Sequence, residues 1–113
     1  MYITISGMGH YLGMDVFRLG QILFLEKEES NQHDMEAIKV CMEGGAQIGY
    51  VANSTYTRAI GTYSAGYIYR DFERTAKAKV AFITHDMVIA ELLVETKAQW
   101  NKKREEYIKA FLY

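Results

Sequence analysis

Proline is missing from all 113 residues. No segment is therefore a polyproline spacer, and every tight turn must be built from Gly, Asn, Ser or Asp. Cysteine is nearly absent as well. The lone Cys41 has no intrachain partner, which excludes a disulfide-stapled fold and removes any advantage of an oxidising compartment. No apolar run approaches the roughly 20 residues that span a bilayer. The first six residues lack the basic start and long apolar core of a secretory leader. A cytoplasmic protein with no membrane partner is expected. Charge of one sign is also lacking, since 13 Lys and Arg oppose 14 Asp and Glu for a formal −1. No global positive field draws the chain onto duplex DNA or anionic lipid, so any nucleic-acid contact must be local.

What is present favours strands. Nine tyrosines and five phenylalanines stand against a single tryptophan, and such side chains suit a half-buried pleated surface. Apolar and aromatic runs predict strands over 2–6, 21–28, 37–42, 47–51, 67–72, 76–84 and 87–94,. Glu43-Gly44-Gly45-Ala46 reads as a hairpin turn between two of them, and His85-Asp86 as another turn. Asn53-Ser54-Thr55 offers N-caps for a helix over 55–65 stopped by Gly66,. Trp100, Arg104, Tyr107, Ile108 and Phe111 recur at helical spacing, which predicts an amphipathic helix over 97–113,. Its apolar stripe either seals the barrel or forms a homodimer seam. The chain is read as one domain, 1–113, with a core over about 3–95,. Six or so short strands with two helices make a small closed or partly open barrel, mainly β, or α+β by element count.

One segment is richer in information than the rest. Glu28-Glu29-Ser30-Asn31-Gln32-His33-Asp34-Met35-Glu36-Ala37-Ile38-Lys39-Val40 is a strand end, a polar loop and a strand start. Asn31 and Asp34 have side chains that bond nearby backbone groups and fix a loop without regular structure. Gln47-Ile48-Gly49-Tyr50-Val51 follows the hairpin, with a glycine inside a strand where another group presses against the backbone. Taken together and in order, Leu25, Glu28, Asn31, Asp34, Ala37, Ile38, Val40, Gly44, Ile48, Gly49 and Tyr50 resemble the HIRAN domain family. Upstream, Gly7, Tyr11, Gly13 and Gly20 stand about where that family has glycine and aromatic positions.

The resemblance implies an OB-like barrel that binds nucleic acid. Members fused to DNA-remodelling helicases capture the 3′ end of single-stranded DNA. Carried over, Asp34 is the acceptor of the terminal 3′-hydroxyl. Asn31 and Ser30 shape the pocket or touch phosphate, and Tyr11 and Tyr50 form its wall. This chain departs from the pattern in carrying His10 and His33 in place of tyrosines, Gln32 in place of proline and Glu36 in place of asparagine. The implied partner is a single-stranded DNA end, or RNA, with a role in repair or replication-fork processing.

Each of these residues also has a plainer reading. Asn31 and Asp34 serve equally as caps of their own loop, and Tyr11 and Tyr50 as core edge. If the loops converge, His10, His33 and Asp34 supply three metal ligands or an acid–base pair, but no ligand motif supports either. Lys77 and Lys79 share one strand face and would guide a phosphate backbone, whereas the basic residues of 97–109 alternate with Glu105 and Glu106 as a solvated face. Cys41 is expected to point inward as a small hydrophobe. No phosphate-binding loop, nucleophile elbow, zinc motif or dinucleotide fingerprint is present, so no enzyme activity, catalytic residue or cofactor is assigned. A protein-interaction or scaffold module that keeps the barrel without the DNA pocket is the alternative.

Overall fold

In a computed structural model, residues 1–93, 105, 106 and 108–110 are described. Six strands present apolar rows to the interior: β1 (Tyr2–Ser6), β2 (Ile22–Lys27), β3 (Ile38–Cys41), β4 (Gln47–Val51), β5 (Thr75–Ile83) and β6 (Val88–Leu92). All pairings are antiparallel, and the strands close into a barrel in the order β1-β4-β3-β2-β5-β6. Closure leaves no edge strand to aggregate. The interior is filled by Ile3 and Ile5, Leu23 and Leu25, Ile38 and Val40, Ile48, Val80 and Val88, with Ile68 closing from outside the sheet. Register shifts at Val80/Phe82 and Val40/Cys41 bend the sheet toward closure,.

Two glycine sites decide local geometry. Gly44 and Gly45 have φ of +96° and +95°, which lets the β3–β4 chain reverse within a tight hairpin. Gly49 has the opposite problem, one of room. A Cβ there would lie 2.8 Å from the Ser6 carbonyl oxygen and 2.9 Å from Ile5 Cγ2. The β1–β4 seam consists of only Ile5↔Val51 and Ser6↔Tyr50, and glycine is what allows that approach.

Between β4 and β5 the chain departs from its local pattern. Residues 55–64 form a turn and a loop, not the expected helix. Tyr56 and Ile60 are fully solvent-exposed, so a helix there would have no apolar stripe to bury, and Gly61 at φ +90° breaks it. The loop is instead tied to β1. The Thr4 and Thr62 hydroxyls hydrogen-bond at 2.8 Å in a buried pair, the Ala59 N–H donates to Thr4 Oγ1, and the Tyr63 N–H donates to the Tyr2 carbonyl. The helix α1 (Ala65–Ile68) begins where the expected one ended, with Ser64 Oγ accepting from the Tyr67 N–H as its N-cap,.

Residues 67–72, expected as a strand, continue α1 into a 3₁₀ turn over Tyr69–Asp71. Ala65 and Ile68, three apart, are the buried pair, and Tyr69 and Phe72 pack on the core edge. Lys27 pins this turn to β2: its Nζ donates to the Phe72 carbonyl at 2.6 Å and sits 4.2 Å from the Tyr69 ring centre,.

Cys41 is buried as a small hydrophobe, as expected, but not on the row that fills the barrel interior. It stands opposite Phe24 in register, on the outer face that carries Lys39 and Glu26, while Ile38 and Val40 take the inward positions. Burial raises its thiol pKa, the Lys39 charge lowers it and Glu26 raises it, with a net upward shift, so the thiol is held protonated and unreactive. Of the expected C-terminal helix, residues 105, 106 and 108–110 are helical, and those whose side chains are described are exposed. Trp100, Tyr107 and Phe111 lie outside the described residues. Among the described residues no helix is long and apolar enough to cross a membrane.

The Gly49 seam makes a stability prediction. Gly49→Ala is expected to cost about 1–3 kcal/mol, the usual penalty for forcing atoms into a filled space. Gly9→Ala, where nothing lies within 4 Å, is expected to change stability by less than about 0.5 kcal/mol. Urea unfolding of the two variants checks this, and equal stabilities would remove the steric account of the seam.

Candidate functional site

The loop from Glu28 to Ala37 is closed at its base by the Glu28 N–H donating to the Ala37 carbonyl at 2.9 Å. Inside it, Asn31 organises the backbone. Its Oδ1 accepts from both the His33 N–H and the Asp34 N–H, each at 2.9 Å. Its Nδ2 donates to Glu28 Oε1 at 2.9 Å, and its own N–H donates to the Glu28 carbonyl. Asp34 continues the pattern, with Oδ1 accepting from the Glu36 N–H at 2.9 Å. These are Asx-type turns that replace regular structure. Asp34 Oδ2 accepts no hydrogen bond among the described residues.

The strand pairing brings Tyr50 to this loop from 22 positions away. Tyr50 is opposite Lys39 on β3 and Ser6 on β1, so its ring stands on the barrel's outer face. Its hydroxyl reaches Glu28 Oε1 and Oε2, both at 3.0 Å. Tyr11 follows the 3₁₀ turn Met8–His10 and sets its ring 6.2 Å from that of Tyr50, tilted by 56°. A hydrogen bond from Gln47 lowers the Tyr50 phenol pKa. Burial, hydrogen bonds with Tyr11 and Glu28 and the Glu28 charge outweigh it and push the value up to about 12,.

Tyr11, Tyr50, Asn31 and Asp34 therefore join one cluster, with Glu28 at its centre. His10, Ser30 and His33 are exposed beside it, and their side chains make no hydrogen bond or ring contact among the described residues. His10, His33 and Asp34 do not converge as ligands: among the described residues no group of three His, Cys, Asp or Glu side chains is arranged to hold a metal ion.

Lys77 and Lys79 are elsewhere. They line the outer face of β5 opposite Phe24 and Ile22, with Lys77 Nζ 5.6 Å from the Phe24 ring centre. Phe24 is four residues from Glu28, about 13 Å along an extended chain. Three grooves share Phe24, one of about 420 Å³ between Cys41, Lys77 and Leu93, and Asp34 lines none of the three.

Two contributors escaped the sequence reading as site residues. Glu28 was marked only as part of a pattern, and its role depends on a tyrosine two barrel strands away. Glu36 reaches Asn53, whose Nδ2 donates to Glu36 Oε1 at 3.4 Å while its Oδ1 accepts from the Gly66 N–H. That contact joins the loop to the start of α1. A carboxylate at a strand end with asparagine three residues later was the available signal for the first; nothing local signals the second.

The HIRAN domain family profile matches residues 1–76. Among solved structures, the HIRAN domain of human HLTF is similar, at 18% identity and a TM-score of 0.59 over 81% of this chain and 71% of that one. A protein from Lactobacillus plantarum is similar at 21% identity and a TM-score of 0.57, over 80% of this chain and 87% of the other. No curated protein matches at a significant level.

The Tyr50 environment predicts a pH effect on stability. An unfolded tyrosine loses its proton near pH 10, whereas the folded phenol keeps it to about 12. Between these values the unfolded state binds fewer protons than the native one, so stability falls as pH rises. The Tyr50 contribution is fully present below pH 10. In Tyr50→Phe this part of the decline is expected to vanish, as read by urea midpoints from pH 9 to 11.5. Identical slopes in both proteins would refute the assignment.

Proposed function

This chain belongs to the HIRAN domain family, and from that premise we propose that it is a nucleic-acid-binding module whose ligand is the 3′ end of a single strand. The observation that carries the reading is how Asp34 is held. Asn31 fixes its backbone, the Glu36 N–H occupies Oδ1, and Oδ2 is left over. An ionised carboxylate oxygen accepts a strong hydrogen bond from a hydroxyl. A phosphate at the same place would face the like charges of Glu28, Asp34 and Glu36. The loop therefore favours a terminus with a free hydroxyl over an internal linkage.

Tyr11, 37% exposed, and Tyr50 offer the adjoining wall for a terminal base. Such stacking is worth about 1–3 kcal/mol per base. His10 and His33 flank the wall, Ser30 and Asn31 border the loop, and Lys77 and Lys79 guide the backbone further along the barrel. The role is recognition, without a cofactor, and end recognition suits repair or fork processing in the cytoplasm. Exposed Tyr56 and Ile60 on the loop before α1 and Tyr67 on α1 favour a second reading, a protein-interaction module.

Fluorescence anisotropy with single-stranded oligonucleotides ending in a free 3′-hydroxyl or a 3′-phosphate tests the proposal. At least tenfold tighter binding of the free end is expected, with the preference lost in Asp34→Asn. Few phosphates would be neutralised, so the salt dependence should be shallow. Equal affinity for both ends, or none for either, removes Asp34 from its role and leaves the interaction reading.

A further inference from the structure

We infer that Glu28 is the positioning residue of this site, one carboxylate that sets the hydroxyl acceptor and the stacking wall relative to each other. The inference rests on the end-capture reading and goes beyond it, because Glu28 itself need not touch the ligand.

The geometry is specific. The carboxylate receives the Tyr50 hydroxyl at 3.0 Å on both oxygens and Asn31 Nδ2 at 2.9 Å on Oε1. Its backbone is used too, with the N–H bonded to Ala37 and the carbonyl to the Asn31 N–H. Charge-assisted bonds of this kind are stronger than neutral ones. An amide has one donor end and one acceptor end. With Nδ2 engaged by Glu28, Asn31 must turn Oδ1 toward the His33 and Asp34 N–H groups. The orientation of Asp34 therefore follows from Glu28 through Asn31. On its other side, the same carboxylate holds the Tyr50 hydroxyl and so places that ring beside Tyr11. Loop and wall come from different strands, and no other side chain among those described bonds to both Asn31 and Tyr50.

Glu28→Gln keeps the shape of the side chain and removes its charge. The amide oxygen can still accept from Asn31 Nδ2, but Nε2 replaces the oxygen that takes the Tyr50 hydroxyl and can only donate to it,. Both arms therefore lose their charge assistance and the Tyr50 arm reverses direction. The control is Glu29→Gln, the same charge change at an exposed neighbour with no side-chain hydrogen bond among the described residues. Nuclear magnetic resonance reads the loop without any ligand. Glu28→Gln is expected to shift the His33 and Asp34 amide signals and bring the Tyr50 phenol titration back toward pH 10, with core signals such as Ile3 and Val88 unmoved. Affinity for the 3′-hydroxyl oligonucleotide should fall at least tenfold and its margin over the 3′-phosphate should shrink, while Glu29→Gln matches the wild type.

Unmoved loop signals, or undiminished affinity where Asp34→Asn has lost it, would overturn the positioning role and leave end capture standing. A wild-type protein that ignores the 3′ group would overturn both. If Glu28→Gln disrupts the barrel, Tyr50→Phe removes one arm alone: a shift of the Asn31 side-chain amide signals with at least a threefold loss of affinity supports the role, and neither effect overturns it.

Discussion

The shortest seam of the barrel governs everything attached to it. β1 and β4 meet through two residue pairs, Ile5↔Val51 and Ser6↔Tyr50, and the approach exists because Gly49 presents no side chain to the Ser6 carbonyl. Strand register has a period of two, so a slip of one residue there would turn Tyr50 into the core and Val51 out of it. The same seam sets where the chain leaves β1, and hence where Tyr11 comes to lie. A close backbone contact on one side of the barrel thus decides which aromatic rings stand beside the Glu28–Asp34 loop.

Electrostatics at that loop run against the usual picture of a nucleic-acid surface. Glu28, Glu29, Asp34 and Glu36 crowd nine residues of chain, while Lys27, next to Glu28 in sequence, turns onto Tyr69 and Phe72. A binding site of this sign cannot grip a polyanion along its length. Under the proposed end capture it suits the one point on a strand where phosphate stops and hydroxyl remains. The near-zero net charge of the whole chain agrees with a ligand gripped at a point, since long-range steering would add little for a single terminus.

Much of this was legible in the sequence because it depended on neighbours in the chain. The hairpin at Gly44-Gly45, the inward Ile38 and Val40 of β3 and the Asn31–Asp34 loop all arise within a few residues. The misreadings share the opposite origin. Residues 55–64 have caps suited to a helix, yet the Thr4–Thr62 hydroxyl pair binds them to a strand more than fifty positions away. Residues 67–72 are aromatic enough for a strand, but Ala65 and Ile68 bury at helical spacing once Ser64 caps them. Cys41 is buried as expected, but on the face opposite the one that Ile38 and Val40 fill. The Glu28–Tyr50 contact needed the β3–β4 hairpin and the β2–β3 register together, which no local pattern supplies.

The departures from the family pattern gain meaning from that division between holding the loop and meeting the ligand. Gln32 replaces a proline that would restrict the loop's backbone, but Asn31 Oδ1 already fastens the His33 and Asp34 N–H groups, so the turn has a second means of rigidity. Glu36 replaces an asparagine and finds Asn53, which keeps the loop tied to α1. Neither change disturbs the chain of bonds from Tyr50 through Glu28 to Asp34. His10 and His33 belong to the other class, exposed and free of the network, where a change of side chain alters what a ligand touches and leaves the scaffold alone. Under the proposed end capture, variation of this kind changes what the ligand meets and leaves the supports of the carboxylate intact.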